Sequence, residues 1–205
     1  MTLSWLGLIS SGIMLARYYK LSWEGRTLCN VKIWFAFHRG LMILSLFMMI
    51  TALILIFVKV GGWSQVDGNP HPILGCVAVG LALIQLFMAF FRPKPDSSRR
   101  PVFNLSHQTV GYSSYIIAVI TIFFASQLAA VNLPDTFMWV LVGVVGIFAT
   151  YHIIMLISDY IMYKKKEVED TKDFQENGFK EKLLVLYIFT VSSLVVTMIV
   201  FIWKG

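Results

Sequence analysis

The chain has 205 residues, of which 58% are hydrophobic and only 14% are charged, and it carries a formal net charge of +6. A soluble domain has about a quarter of its residues charged, whereas the mean hydropathy here is +0.74. The composition excludes an ordinary soluble protein and predicts an all-α membrane protein with several spans.

Six apolar stretches are candidates for membrane spans, because about 20 helical residues cross a hydrocarbon core ~30 Å thick. The first is short, begins without the basic region of a signal peptide, and ends in the charged stretch "ARYYK". We therefore interpret it as a true span, and its shortness leads us to expect natural sequence before Met1. The six stretches run over about 2–16, 33–58, 73–91, 106–131, 137–163 and 183–203.

Lysine and arginine residues are concentrated in three of the loops between these spans. The loops after spans 1, 3 and 5 hold fourteen of the 17 basic residues, whereas the opposite side holds only Lys59 and Lys204. Because short cytoplasmic loops carry excess positive charge, we predict that these loops are cytoplasmic and that both termini are extracellular or lumenal. The longest, 164–182, is predicted to be a polar cytoplasmic linker. The same bias explains the net charge without a nucleic-acid partner.

The four histidines of the chain each fall in, or at the mouth of, a different apolar span. Spans 2 and 4 run outward and carry His38 and His107 near their cytoplasmic ends. Spans 3 and 5 run inward and carry His71, at the outer edge, and His152. The sequence therefore predicts an inner layer formed by His38 and His107, and an outer layer formed by His71 and His152.

Paired imidazoles from facing helices are the ligand set of a bis-histidine haem, whose filled axial positions favour electron transfer over oxygen activation. Gly40, Gly75 and Gly111 lie within about one turn of three histidines, and we expect them to make room for a porphyrin. A single interfacial histidine is usually only an amphipathic residue, but that role does not readily explain four histidines in four consecutive spans. A zinc site would gather its ligands in one cluster, and a proton relay would recruit intramembrane carboxylates, of which only Asp159 is found.

Several motifs along the chain are shared with one known family. They are "WFAFHRGLM", "GGWSQ", "HPILGC", "FRPKPDSSRRPVFNLSH" followed by "VGY", and "NLPDTF". The most distinctive arrangement is R-P, then R-R, then N-x-x-H-x-x-x-G, at the junction of a loop and span 4. On these motifs the whole of 1–205 resembles the transmembrane domain of the cytochrome b-561 family, and within it the DOMON-linked ferric-chelate reductases of the stromal-cell-derived receptor type.

The resemblance implies six transmembrane helices, with helices 2–5 forming a four-helix core around two haem b groups. It implies axial ligation of iron by His38 with His107, and by His71 with His152. Electrons would pass from cytoplasmic ascorbate, or a similar reductant, to an extracellular or lumenal ferric chelate or monodehydroascorbate. The enzyme would be a transmembrane ferric-chelate reductase embedded in lipid, and the sequence leaves a homodimer open. His152 departs from the pattern, because it lies about fifteen residues into its span, near mid-membrane.

Basic residues on the cytoplasmic side would receive the anionic donor or the haem propionates. Arg39 lies within a span, where an unpaired charge is costly, so we expect it to pair with a propionate. Arg99, Arg100 and Lys32 are expected to bind the donor. For each of these residues, an ordinary positive-inside role is the alternative.

Two other classes of function are open at the level of sequence. One is a haem-free transporter or channel that uses histidine, and the other is a haem-free membrane anchor for an extracellular domain. A visible spectrum separates them from the haem protein, because a reduced bis-histidine haem gives sharp α and Soret bands.

Overall fold

The computed structural model describes residues 1–63, 68–128, 131–169 and 178–204. Within these residues the protein is a bundle of helices, and five of them are long and apolar enough to cross a membrane. A sixth, α1, is shorter. The helices are α1 (Ser10–Tyr18), α2 (Ile33–Val60), α3 (His71–Phe90), α4 (Arg100–Ala125), α5 (Thr136–Glu169) and α6 (Phe179–Lys204).

The chain begins with a π-helical segment, Leu3–Ile9, that continues directly into α1; we call the two together the first helix. It lies centrally, in contact with α2, α4, α5 and α6, and its Leu6 and Met14 side chains are fully buried. The stretch "GLISSG" supplies the small residues that let membrane helices approach closely. The first helix therefore joins the centre of the packing, which the sequence analysis assigned to helices 2–5.

A short antiparallel hairpin connects α1 to α2. It pairs β1 (Thr27–Leu28) with β2 (Val31–Lys32). The two turn residues, Cys29 and Asn30, have φ of 51° and 60°, which is the left-handed conformation that the favoured two-residue hairpin turn requires. The hairpin sets Lys32, one of the predicted donor-binding residues, at the point where α2 begins.

Helices α3 and α4 form the largest helix pair and run antiparallel. The Ser114 hydroxyl donates to the Ala78 carbonyl at 2.9 Å. At the start of α3, Asn69 Oδ1 accepts from the His71 backbone N–H at 2.9 Å, and Asn69 Nδ2 donates to the Phe124 carbonyl at 3.1 Å. These bonds fix the register of α3 on α4.

Several helix ends differ from the predicted spans. Helix α4 begins at Arg100 rather than at 106, since Pro101 suits the first turn of a helix, and it ends at Ala125 rather than at 131. Helix α5 continues to Glu169, so the predicted linker 164–182 begins as helix. Residues 170–177 of that linker lie outside the described residues.

Candidate functional site

His38 lies near the start of α2, and the first helix holds its ring. Its Nδ1 is 2.9 Å from the Gly12 carbonyl oxygen. Because a carbonyl only accepts hydrogen bonds, Nδ1 carries the proton and Nε2 carries a free lone pair. A Cβ built at Gly12 would collide with Met42 Cε, the flexible end of a side chain, and would lie in ordinary contact with His38 Nδ1 at 3.6 Å.

His71 is the first residue of α3 and is held in the same way by α4. Its Nδ1 is 2.9 Å from the Thr121 carbonyl oxygen, so the proton again lies on Nδ1 and the lone pair on Nε2. The hydrogen bonds of Asn69 fix the backbone at this point. His71 is therefore oriented by both its side chain and its main chain.

His152 lies in the middle of α5 and contacts the end of the first helix. Its Nδ1 is 2.6 Å from the Tyr18 hydroxyl, which also lies 3.3 Å from the His152 carbonyl oxygen. Three aromatic rings surround it, with centroid distances of 4.6 Å to Phe148, 5.3 Å to Tyr18 and 5.9 Å to Tyr112. Its Nε2 is buried and has no hydrogen-bond partner.

His107 lies in α4 and differs from the other three. Its ring stacks on Phe103 at a centroid distance of 5.5 Å and an interplanar angle of 11°. Its Nδ1 is buried without a hydrogen-bond partner. His107 lies within electrostatic range of His38 and Arg92. The predicted inner pair, His38 on α2 and His107 on α4, thus interact electrostatically.

Residue positions along α4 give the relative depths of the histidines in the bundle. Tyr112, which contacts His152, is five residues beyond His107, and Thr121, which accepts from His71, is fourteen residues beyond it. At 1.5 Å per residue these steps correspond to about 7.5 Å and about 21 Å. Between the described side chains of His71 and His152 there is no direct contact. His152 lies at a level between the two predicted layers and nearer the inner one.

Three of the four imidazoles have features of a haem ligand. A ligand histidine presents one nitrogen lone pair to the metal and donates its other N–H to a fixed acceptor, which sets its tautomer and orientation. His38 and His71 have this arrangement, and His152 has a buried Nε2 with no other partner. Among the described residues, no three His, Cys, Asp or Glu side chains form a metal cluster.

Two of the glycines expected to admit a porphyrin lie at the contact between α3 and α4. A Cβ at Gly75 would meet Thr121 at 3.6 Å, and one at Gly111 would meet Gln85 at 3.8 Å. Both neighbours lie across the α3–α4 interface. A Cβ at Gly40 would meet nothing within 4 Å. Gly75 and Gly111 therefore line the contact between α3 and α4.

Basic side chains gather at the inner ends of the helices. Arg92 lies with its guanidinium 4.2 Å from the Phe35 ring centroid and within electrostatic range of His38 and His107. Burial lowers the pKa of Lys20, and Arg17, Arg92 and Arg100 lower it further. Burial and Arg100 likewise lower the pKa of Arg92. We call Arg17, Lys20, Arg92 and Arg100 the inner cation cluster.

The four basic residues predicted from sequence occupy different environments. Arg39, Lys32 and Arg99 are exposed, and Arg39 lies 5.8 Å from the Phe35 centroid. Arg100 is half-buried and donates to the Pro93 carbonyl. Of these four, only Arg100 belongs to the inner cation cluster.

Sequence reasoning missed three residues of this site. Lys20 was counted only as a loop charge, whereas Arg92 was noted near the electron entry site, because it directly follows the inner end of span 3, but was not chosen as a donor-binding residue. Gly12 and Tyr18 gave no sequence signal, because their role depends on how the first helix packs against α2 and α5.

Comparisons with known proteins identify relatives over most of the chain. The eukaryotic cytochrome b561 family matches residues 1–131. Ferric-chelate reductase 1 of Homo sapiens is 31% identical over 203 residues, which cover 92% of this chain and 34% of the human protein. Ferric-chelate reductase 1 of Bos taurus is 32% identical over 207 residues, covering 95% of this chain and 34% of the bovine protein.

A plant protein extends the same pattern. A cytochrome b561 and DOMON domain-containing protein of Arabidopsis thaliana is 29% identical over 142 residues, 69% of this chain and 33% of its own length. The chain thus spans about a third of the length of these relatives. No solved structure matches the chain.

Proposed function

The chain belongs to the eukaryotic cytochrome b561 family, and on that premise we propose that it transfers electrons across a membrane through two haem b groups. The five long apolar helices support an integral multi-pass membrane protein. We include the first helix as a sixth span and orient both termini to the extracellular or lumenal side. The concentration of basic residues in three alternate loops supports this orientation.

His38 with His107, and His71 with His152, are the proposed axial ligands. One observation carries the assignment: His38 and His71 each donate Nδ1–H to a backbone carbonyl, which leaves Nε2 free to bind iron. A bound haem would supply one-electron oxidation and reduction of its iron, with both axial positions filled by imidazole. The electrostatic proximity of His38 and His107 supports the first pair.

The protein's own residues have three tasks in this proposal. The carbonyls of Gly12 and Thr121 orient His38 and His71. The rings of Tyr112 and Phe148 enclose His152 in apolar surroundings, which exclude water and tune a redox centre. The helix α4 contributes to both levels and fixes the distance between them.

The electron donor is proposed to be a cytoplasmic monoanion such as ascorbate. It would lose one electron and one proton and leave as monodehydroascorbate. The inner cation cluster supports binding of an anion, because Arg92 lies beside His38 and His107 and adjoins Lys20 and Arg100 electrostatically. Arg99 and Lys32 are exposed at the same end and would attract the anion at longer range.

A ferric chelate is the proposed acceptor on the opposite side. Two of the relatives above are named ferric-chelate reductase 1, and a ferric chelate needs one electron to become ferrous, which matches a one-electron carrier. Monodehydroascorbate is the second candidate acceptor, since it also takes one electron.

Liposomes that contain the 205-residue chain, loaded with haem, test the proposal. With ascorbate inside and a ferric chelate outside, we expect ferrous iron to appear outside only when both the protein and internal ascorbate are present. His38→Ala and His71→Ala should each abolish the signal, while Gln108→Ala, on an exposed face of α4, should retain it. Reduction that survives both histidine variants would contradict the proposal, and a chain without haem bands would favour the haem-free alternatives.

A further inference from the structure

We propose that Tyr18 is a positioning residue for the haem ligand His152: its hydroxyl accepts a hydrogen bond from His152 Nδ1–H and thereby sets the tautomer, orientation and donor strength of that ligand. This inference rests on the proposed function. It assigns to the first helix, outside the four-helix core expected from sequence, a direct role at the redox centre.

The two acceptors and donors around the Tyr18 hydroxyl favour one direction for the hydrogen bond. The hydroxyl has one proton and lies 2.6 Å from Nδ1 of His152 and 3.3 Å from its carbonyl oxygen. A carbonyl oxygen only accepts, so the hydroxyl proton is directed to it, and the Nδ1 proton is directed to the hydroxyl oxygen. The buried Nε2 is then unprotonated, as iron ligation requires.

Tyr18 is held rigidly enough to do this. It is only 5% exposed, as part of a helix whose neighbouring Met14 and Leu15 are buried as well. Its ring meets the imidazole edge-on, at an interplanar angle of 61°, and the Arg17 guanidinium lies 5.7 Å from the Tyr18 ring centroid. The buried ring therefore keeps the hydroxyl in contact with His152.

The first helix also supplies the Nδ1 acceptor of a second proposed ligand, His38. Six residues before Tyr18, the Gly12 carbonyl accepts from Nδ1 of His38. His38 and His152 thus receive their Nδ1 acceptors from the first helix, one from main chain and one from a side chain. Because the Tyr18 acceptor is a side chain, it can be removed by a substitution that leaves the ring in place.

The test is a redox titration of the haem-loaded chain with Tyr18→Phe. Loss of the acceptor weakens the imidazole as an electron donor to iron, which favours the reduced state. We expect both haems to be retained. The midpoint potential of the haem that depends on His152 should rise by about 59 mV, which corresponds to a tenfold change in a one-electron equilibrium constant. The other haem should keep its potential.

Tyr19→Phe is the matched control. Tyr19 is a neighbouring buried tyrosine whose hydroxyl contacts Tyr151 and the Lys180 carbonyl. It should leave both potentials unchanged. Equal potentials in wild type and Tyr18→Phe would overturn the inference, and so would an equal shift in Tyr19→Phe, which would indicate a general packing effect.

A second measurement covers the case in which Tyr18→Phe does not fold. In the reduced, diamagnetic wild-type protein, nitrogen NMR of labelled histidines should show a proton on Nδ1 of His152, with the resonance assigned by its loss in His152→Ala. An unprotonated Nδ1 would overturn the inference. Failure of the proposed function is distinct, because then the wild-type chain has no haem bands, or His152→Ala keeps both haems.

Discussion

The inner and outer ends of the helix bundle hold histidines in different electrostatic settings. At the inner end, His38 and His107 lie in range of each other and of Arg92, beside a cluster of cations. At the outer end, His71 is held by neutral groups: the Thr121 carbonyl and the amide of Asn69.

The difference in charge around the histidines indicates which end of the bundle is suited to an anionic reductant. Burial, and to a smaller extent the neighbouring arginines, lowers the pKa of Lys20, and concentrated positive charge attracts an anion. Among the described residues, the groups that hold His71 carry no charge to attract a donor. The comparison therefore supports electron transfer from the inner side to the outer side.

The largest expected effect comes from His107→Ala. It removes one proposed ligand of the inner haem, so we expect one of two haems to be lost and the other retained. Haem content per chain and the reduced spectrum measure this. The control Gln108→Ala changes an exposed neighbour on α4 and should keep both haems. A His107→Ala protein with two haems would show that the inner pair is wrong.

His152→Ala tests the other half of the comparison. If His152 pairs with His71, this variant and His71→Ala should lose the same haem, with the same missing α band. Because His152 lies nearer the level of the inner pair along α4, the opposite result is informative. Loss of the haem that His107→Ala also removes would assign His152 to the inner layer and break the outer pair.

The inner cation cluster should control the rate of reduction by ascorbate. Replacing Lys20 and Arg92 by Gln should slow this reduction about tenfold at low salt, because clustered charge raises the association rate of an oppositely charged donor by 10-fold or more. Reduction by dithionite and the haem spectrum should be unchanged. Lys94→Gln, an exposed charge in the same loop as Arg92, is the control. An unchanged ascorbate rate in the double variant would move the donor site elsewhere.

A smaller effect is expected at the outer end from Asn69→Ala. The variant removes both the cap on the His71 N–H and the bond to the Phe124 carbonyl, at a cost of about 1 kcal/mol. Thermal loss of the Soret band should begin a few degrees lower. Asn104→Ala, at an exposed position of α4, should leave the transition unchanged, and an equal shift in both variants would contradict the assignment.

The smallest effect is expected from Asp159→Asn. Asp159 is paired with Lys180 at 2.9 Å, and its side chain is 45% exposed whereas that of Lys180 is only 7% exposed. Solvent screens the carboxylate but not the buried ammonium, so the loss falls on folding stability rather than on the redox site. The visible spectrum and ascorbate rate should not change. A large change in haem binding would indicate that the α5–α6 contact supports the redox site.

Much of the site could be predicted from sequence because membrane physics restricts it. Helix length and charge bias predicted the spans and predicted that His38 and His107 share a level. The two lie within electrostatic range of each other, and their pairing stays a prediction. The level of His71 lies about 21 Å from His107 along α4, and the two-layer arrangement stays a prediction. The pairing of His71 with His152 stays a prediction.

The remainder depends on packing that a sequence does not encode locally. Hydrophobicity gave the first helix no central place, yet it supplies Gly12 and Tyr18 to two histidines. Arg39 was favoured because it lies within a span, but its face of α2 is exposed. Arg92 instead lies beside the histidines, because the register of α3 on α4 fixes its position.

Counting haem in the purified wild-type chain is the most direct test of electron transfer through two haem groups. We predict two haem b groups per chain, as measured by the pyridine haemochrome, with reduced α and Soret bands and two separable midpoint potentials. A single haem per chain would contradict the two-layer arrangement, and a chain that binds none when expressed with excess haem would contradict transmembrane electron transfer by these histidines altogether.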